Sequence, residues 1–218
     1  MVVLATKVYG PDREAALDSL ASLVENDVGE LGVDYGIGVR HGDFPSVTIT
    51  GEDATVARNL LIERWGEIVP RLAAGEIFRG TLESWDDAGW HLDAGESVVV
   101  GADRLGLGPG RPSQVATRFG LVPHVPLSFE HGDEPRLAAG ERDRLHDWRT
   151  GPGRVNANAV TRSQFRATIN RAGHADDVVG IERLGLLEHS AVCAEGTDPP
   201  GLLASIGAYM PGDLACVL

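Results

Sequence analysis

The sequence predicts an α+β fold in three successive units: a ferredoxin-like unit over residues 1–72, a β-rich segment with one short helix over 73–130, and a C-terminal α/β unit with an arginine-rich helix over 131–218. Three observations carry that reading. The first seventy or so residues follow the order strand, helix, two strands, helix. The next segment breaks into short alternating runs separated by glycine-containing turns. A capped helix near residues 161–173 then precedes a strand, helix, strand pattern that closes the chain.

In the first unit, Val2, Leu4 and Val8 share one side of an extended segment. Pro11 opens a helix with Asp12 and Glu14 in its first turn, where the macrodipole favours carboxylates. Leu17, Leu20, Val24, Val28 and Leu31 follow at helical spacing and form its buried stripe. Tyr35, Ile37 and Val39 alternate, Gly42-Asp43 marks a turn, and Val47 and Ile49 alternate again, which is a hairpin signal. Asp53 caps a second helix whose Ala57, Leu60, Leu61, Trp65 and Ile68 face one way. No obvious fourth strand follows, so this unit is either incomplete or borrows a strand from the next segment.

In the middle, the runs from Gly75 to Leu82, Gly89 to Asp93 and Ser97 to Val100 read as short strands of a small twisted sheet or barrel. Gly75-Glu76-Ile77-Phe78-Arg79-Gly80 and Gly89-Trp90-His91-Leu92-Asp93 resemble the opening and a later strand of an S1-type OB module, over about a third of such a module's length. Trp90 and Phe78 are candidates for a base-stacking platform, with core filling the stronger reading of both. Pro112 starts a short helix that Gly120 ends. Pro123 to Gly140 reads as a loop-rich connection, and Glu141 to Trp148 as a short helix.

In the last unit, Thr161 and Gln164 have capping-box spacing and Gly173 fits a C-terminal stop. Phe165, Ile169 and Ala172 point inward, while Arg162, Arg166 and Asn170 run along an adjacent flank. Leu186 to Cys193 reads as a strand, Pro199 to Tyr209 as a helix and Leu214 to Leu218 as a closing strand. The stretch from Asp177 to Leu184 fits helix and strand equally.

Charge is sorted along this chain. It carries 32 acidic residues and a net charge of −13, yet Arg104–Phe129 and Trp148–Ala175 contain no Asp or Glu. Those two windows hold Arg104, Arg111, Arg118, Arg149, Arg154, Arg162, Arg166 and Arg171. Lys7 is the only lysine. Lysine scarcity with excess carboxylate is the profile of a halophilic archaeal protein, so overall acidity does not argue against a nucleic-acid partner. The N-terminus is too quickly polar for a signal peptide, no apolar run reaches membrane-span length, and Cys193 and Cys216 read as thiols of a reducing cytosol. A cytoplasmic location is expected.

Several separated motifs point to one family. They are Leu105-Gly106-Leu107-Gly108-Pro109-Gly110, Arg118-Phe119-Gly120-Leu121-Val122, Ala159-Val160-Thr161-Arg162-Ser163, Asn170-Arg171-Ala172-Gly173-His174, Glu182-Arg183-Leu184-Gly185-Leu186-Leu187-Glu188-His189 and Glu195-Gly196-Thr197-Asp198. Together they resemble a conserved archaeal family of halophiles and methanogens that has no assigned activity. The resemblance implies a housekeeping role and carries over no catalytic residue.

Eight arginines are poor core material, so the acid-free windows imply a covered surface. Arginine grips phosphate oxygens in pairs and stacks on bases, which favours RNA or a ribonucleoprotein. The residues expected at that contact are Arg111, Arg118, Arg149, Arg154, Arg162, Arg166 and Arg171, with Asn156, Asn158 and Trp148 beside them on one shared face. A protein-interaction or scaffold role comes next. A winged-helix DNA reader would use Thr161–Ala172 as its recognition helix. A nucleotide-binding enzyme ranks last: Gly106-x-Gly108-x-Gly110 follows Val98-Val99-Val100, but Arg111 stands where a dinucleotide loop wants glycine. No catalytic constellation, metal-ligand spacing or cofactor motif is found, so no enzyme activity, metal or cofactor is expected.

Overall fold

The computed structural model describes residues 1–217. It contains an α+β chain with three antiparallel sheets, each with its own hydrophobic core. Leu218, the last residue of the expected closing strand, lies outside the described residues.

The N-terminal sheet comprises β1 (Val2–Val3), β2 (Val33–Val39) and β3 (Pro45–Gly51) in the order β1-β3-β2. Helices α1 (Arg13–Val28) and α2 (Ala54–Trp65) pack against it. Ala16, Leu20, Val24 and Val28 of α1 meet Ala57, Leu61 and Trp65 of α2 in one core. Leu60, expected to face inward, is exposed instead. The place of a fourth strand is taken by a single bridge between Leu4 and Glu67. Pro70, which has no amide donor to extend a ladder, follows this bridge by three residues.

The central sheet has five strands in the order β6-β5-β4-β7-β8: β4 (Ile77–Trp85), β5 (Gly89–Asp93), β6 (Ser97–Gly101), β7 (Pro126–Glu130) and β8 (Arg136–Leu137). Its edge strands β6 and β8 approach each other, so the sheet curls into a half-barrel. Helices α3 (Pro112–Arg118) and α4 (Ala139–Thr150) belong to this unit. The expected loop at 123–140 is therefore a correction: Leu127, Phe129 and Leu137 alternate into the core despite the prolines around them. The boundary expected at 130 moves to about 150, because Leu137, Leu145 and Trp148 sit in the central core. Trp90 fills that core, its indole N–H donating to the Pro112 carbonyl, and Phe78 packs on Phe129. The stacking-platform candidates are thus one buried ring and one half-buried ring.

The C-terminal sheet has the order β10-β11-β9-β12: β9 (Arg154–Ala157), β10 (Val178–Arg183), β11 (His189–Cys193) and β12 (Leu214–Cys216). The ambiguous 177–184 stretch is thus mostly strand. Helix α5 (Arg162–Arg171) starts at Thr161, whose hydroxyl accepts from the Gln164 backbone, as the capping-box spacing predicts. Helix α6 (Pro199–Gly207) covers the same sheet. The loop before β11 reaches out of its own unit: Leu186 and Leu187 join the N-terminal core, and the Leu186 amide donates to the Thr6 hydroxyl.

Candidate anion-binding crevice

The expected contact residues separate into distinct places. Arg118 and Arg149, one from each acid-free window, line a shared groove with Ser113, Gln114 and Thr117, and Arg111 is exposed at the start of α3. The glycine loop before α3 has its carbonyls turned inward: Leu107 and Pro109 accept from the Arg118 guanidinium. Arg154 is ion-paired with Glu182 and lies over the Trp148 ring.

Three of the expected contacts are corrected. Trp148, Asn156 and Asn158 are buried. Asn156 sits on β9, a strand unforeseen from sequence, and donates to the Gly120 carbonyl at 2.8 Å. Asn158 donates to the Pro123 carbonyl and accepts from the Asp213 amide, tying the central and C-terminal units together. All three are packed inside the protein in this structure.

Arg162 and Arg166 lie exposed on α5 and share a cavity of about 400 Å³ with Ser19, Ser22 and Leu23 of α1 and with Arg183 of β10. The Arg162 Nε–H donates to the Ile181 carbonyl. Arg171 is exposed at the end of α5. Arg183 continues into a second cavity of about 450 Å³, whose lining also includes Arg64, Arg79, Arg144 and Glu141. The three units meet there: α2 supplies Arg64, β4 and α4 supply Arg79 and Arg144, and β10 supplies Arg183.

Charge balance in this crevice is uneven. Arg64 is paired with Asp27, and Arg144 with Glu141. The Glu141 carboxylate also accepts the Ser128 amide, so it is fully engaged. Arg79 and Arg183 have no carboxylate within ion-pair distance among the described residues; each donates to one backbone carbonyl, of Arg64 and Leu186 respectively. Burial pulls the Arg183 pKa down to about 10, and the neighbouring Arg64 and Arg162 guanidiniums add to it. Burial also lowers Arg79, with Arg144 working against the help of Glu141. A half-buried cation without an anion is unfavourable, and an incoming anion relieves it.

A second polar cluster joins the same three units. Lys7 is buried, with its ammonium 3.0 Å from Glu83 and 2.8 Å from Asp93 and 5.0 Å from the Phe44 ring centroid. Burial raises the Glu83 pKa, but hydrogen bonds from His124, Thr81 and Lys7 outweigh it and bring the carboxyl down to about 2. Tyr9 stacks tilted on His124 at 4.2 Å, donates to Glu188 at 2.5 Å and accepts the Ala159 amide. Complete burial pushes Glu188 up to about 8, against the Tyr9 hydroxyl and nearby amides. An added Cβ on Gly185 would collide with the Glu188 carboxyl, so glycine keeps that space open.

The three units correspond to three family domains. Models of the DUF2110 N-terminal, central and C-terminal domains match residues 1–71, 72–149 and 152–218. The chain belongs to the DUF2110 family. The DUF2110 central domain ends at 149, in agreement with the core that encloses α4. No S1 or OB model accompanies these matches, so the S1-type resemblance is not supported. No curated protein matches the chain. DUF2110 is a family of unknown function.

The four crevice arginines lie outside the acid-free windows. Arg64, Arg144 and Arg183 have acids within one or two residues, and Arg79 has one within three, which hides them from a charge count along the sequence. The available signal was an arginine within a strand, flanked by apolar or small residues, as in Phe78-Arg79-Gly80.

Proposed function

We propose that this protein binds RNA through phosphate contacts along the adjoining arginine cavities, without catalysing a reaction. One observation carries the reading: Arg183 is shared by two cavities that together gather Arg64, Arg79, Arg144, Arg162 and Arg166 from all three units. Such a concentration of guanidinium in a chain of net charge −13 suits an anion that takes paired hydrogen bonds, as phosphate does. If the chain works in molar salt, the Debye length is only about 3 Å, and binding relies on short-range hydrogen bonds and stacking. The fold, a ferredoxin-like unit with a reduced fourth strand beside a curled half-barrel sheet, offers only analogy and does not by itself specify a function.

A DNA reader built on α5 is less supported, because Arg162 is tied to the β10 backbone. A protein partner is the second reading, favoured by the edge strand β10 and its exposed Val179. The test is fluorescence anisotropy with a single-stranded RNA oligonucleotide. Arg162→Glu with Arg166→Glu lowers affinity roughly 10-fold or more if RNA is the ligand, since each reversal removes a charged hydrogen bond and adds repulsion. Unchanged affinity, or no binding by the wild type, refutes the reading.

A further inference from the structure

We propose that the crevice between the three units holds a single phosphomonoester, gripped by Arg79 and Arg183 and flanked by Arg64 and Arg144. This deepens the RNA-binding reading and rests on it only for the larger ligand: the group is the 5′-terminal phosphate of an RNA or that of a free nucleotide.

Charge accounting selects the ligand. Four guanidiniums line the cavity, and two are already matched by Asp27 and Glu141. The residual charge comes from Arg79 and Arg183, which face no carboxylate within ion-pair distance among the described residues. A backbone phosphodiester carries one negative charge and would leave one guanidinium unmatched. A phosphomonoester approaches two at neutral pH and presents three acceptor oxygens. Each of the two arginines uses one N–H on a backbone carbonyl, so most of each donor fork is open for paired contacts.

Shape points the same way. At about 450 Å³ the cavity is larger than a phosphate ion and leaves room for an attached organic group. Ile77 lines it and is 63 % exposed, and Leu184 and Pro126 add apolar wall. Those surfaces suit the sugar or base beyond the phosphate. The adjoining cavity with Arg162 and Arg166 then lies where the following backbone phosphates can continue.

The experiment titrates the full chain with two RNA oligonucleotides of one sequence, one 5′-phosphorylated and one 5′-hydroxyl, and separately with inorganic phosphate and adenosine 5′-monophosphate. The phosphorylated oligonucleotide is expected to bind about 10-fold tighter or more, as for gain of charged hydrogen bonds. Arg79→Gln with Arg183→Gln erases that preference, whereas Arg162→Glu with Arg166→Glu weakens both oligonucleotides alike. Competition by the mononucleotide or phosphate extends the site to free phosphomonoesters; preference without competition assigns it to RNA ends. Equal binding of the two oligonucleotides, with no binding of phosphate or mononucleotide, overturns the pocket assignment and leaves RNA binding intact. Phosphate or mononucleotide binding without RNA binding keeps the pocket and refutes the RNA reading. Failure of every probe overturns both. Arg183 also bonds the Leu186 carbonyl, so if the double variant does not fold, the wild-type preference between the two ends decides the matter, with Arg79→Gln as the milder substitution.

Discussion

Around Lys7, the strong charges have opposite neighbours: its ammonium sits between Glu83 and Asp93, and Glu83 also meets His124. Around Arg183, two half-buried guanidiniums have no carboxylate within ion-pair distance among the described residues, although Glu141 and Glu188 act on them from farther away. Both places join the same three units, so position alone does not separate them. Saturated charge is what a structural junction needs, since buried ions are tolerated when paired and hydrogen-bonded. Unsaturated charge in an open cavity is the arrangement that a ligand completes. The comparison fits a junction role for the Lys7 cluster and the binding role proposed for the Arg183 crevice.

Breaking the first junction gives the largest expected effect. Lys7→Met leaves Glu83 and Asp93 facing each other without their cation and is expected to destabilise by about 2–4 kcal/mol, below the full figure for a buried pair because both carboxylates are partly exposed. Chemical denaturation measures it as a lower midpoint. Tyr9→Phe strands the Ala159 amide and one Glu188 oxygen, for about 1–3 kcal/mol in the same assay.

Next in size is a pH effect. The folded Glu188 pKa, about 8, lies above its ordinary value of 4.5. Its contribution is therefore fully present below pH 4.5 and is lost as pH rises through about 8. Glu83 behaves oppositely: its contribution is present above pH 4.5 and is lost as pH falls toward about 2. Melting temperatures from pH 5 to 9 should fall for the wild type over this range and flatten in Glu188→Gln. Parallel curves for the two proteins would rule out a buried, protonated Glu188.

The smallest stability effect belongs to the cavity that adjoins the crevice. Arg162→Glu with Arg166→Glu should shift folding by about 1–2 kcal/mol at most, because both side chains are exposed and only the Arg162 bond to the Ile181 carbonyl is lost, while RNA affinity falls. A loss of folding in that variant would move α5 from the binding class into the structural one and collapse the contrast between the two regions.

Much of the fold was legible in the sequence. The stripes of α1 and α2, the β2–β3 hairpin and the Thr161 cap all rest on local periodicity and local hydrogen bonding. The strands β7 and β9 were not, because Pro126 and the polar Asn156 mask segments that only cross-unit packing makes extended. The site was legible in part. Arg162 and Arg166 stand in an acid-free run and reach a cavity, whereas Arg79 and Arg183 come together only through the docking of separate units. Trp148, Asn156 and Asn158 show the opposite error: residues suited to RNA contact by type are used inside the protein, where burial decides.

The most direct measurement is photochemical crosslinking of bound RNA followed by mapping of the modified peptides on the wild-type chain. The account predicts adducts in the segments around Ile77–Gly80, Gly140–Arg144, Arg162–Arg166 and Ile181–Leu184, which line the two cavities. Adducts confined to the Gly106–Arg118 loop or to the β10 edge near Val179, or none at all, would contradict it.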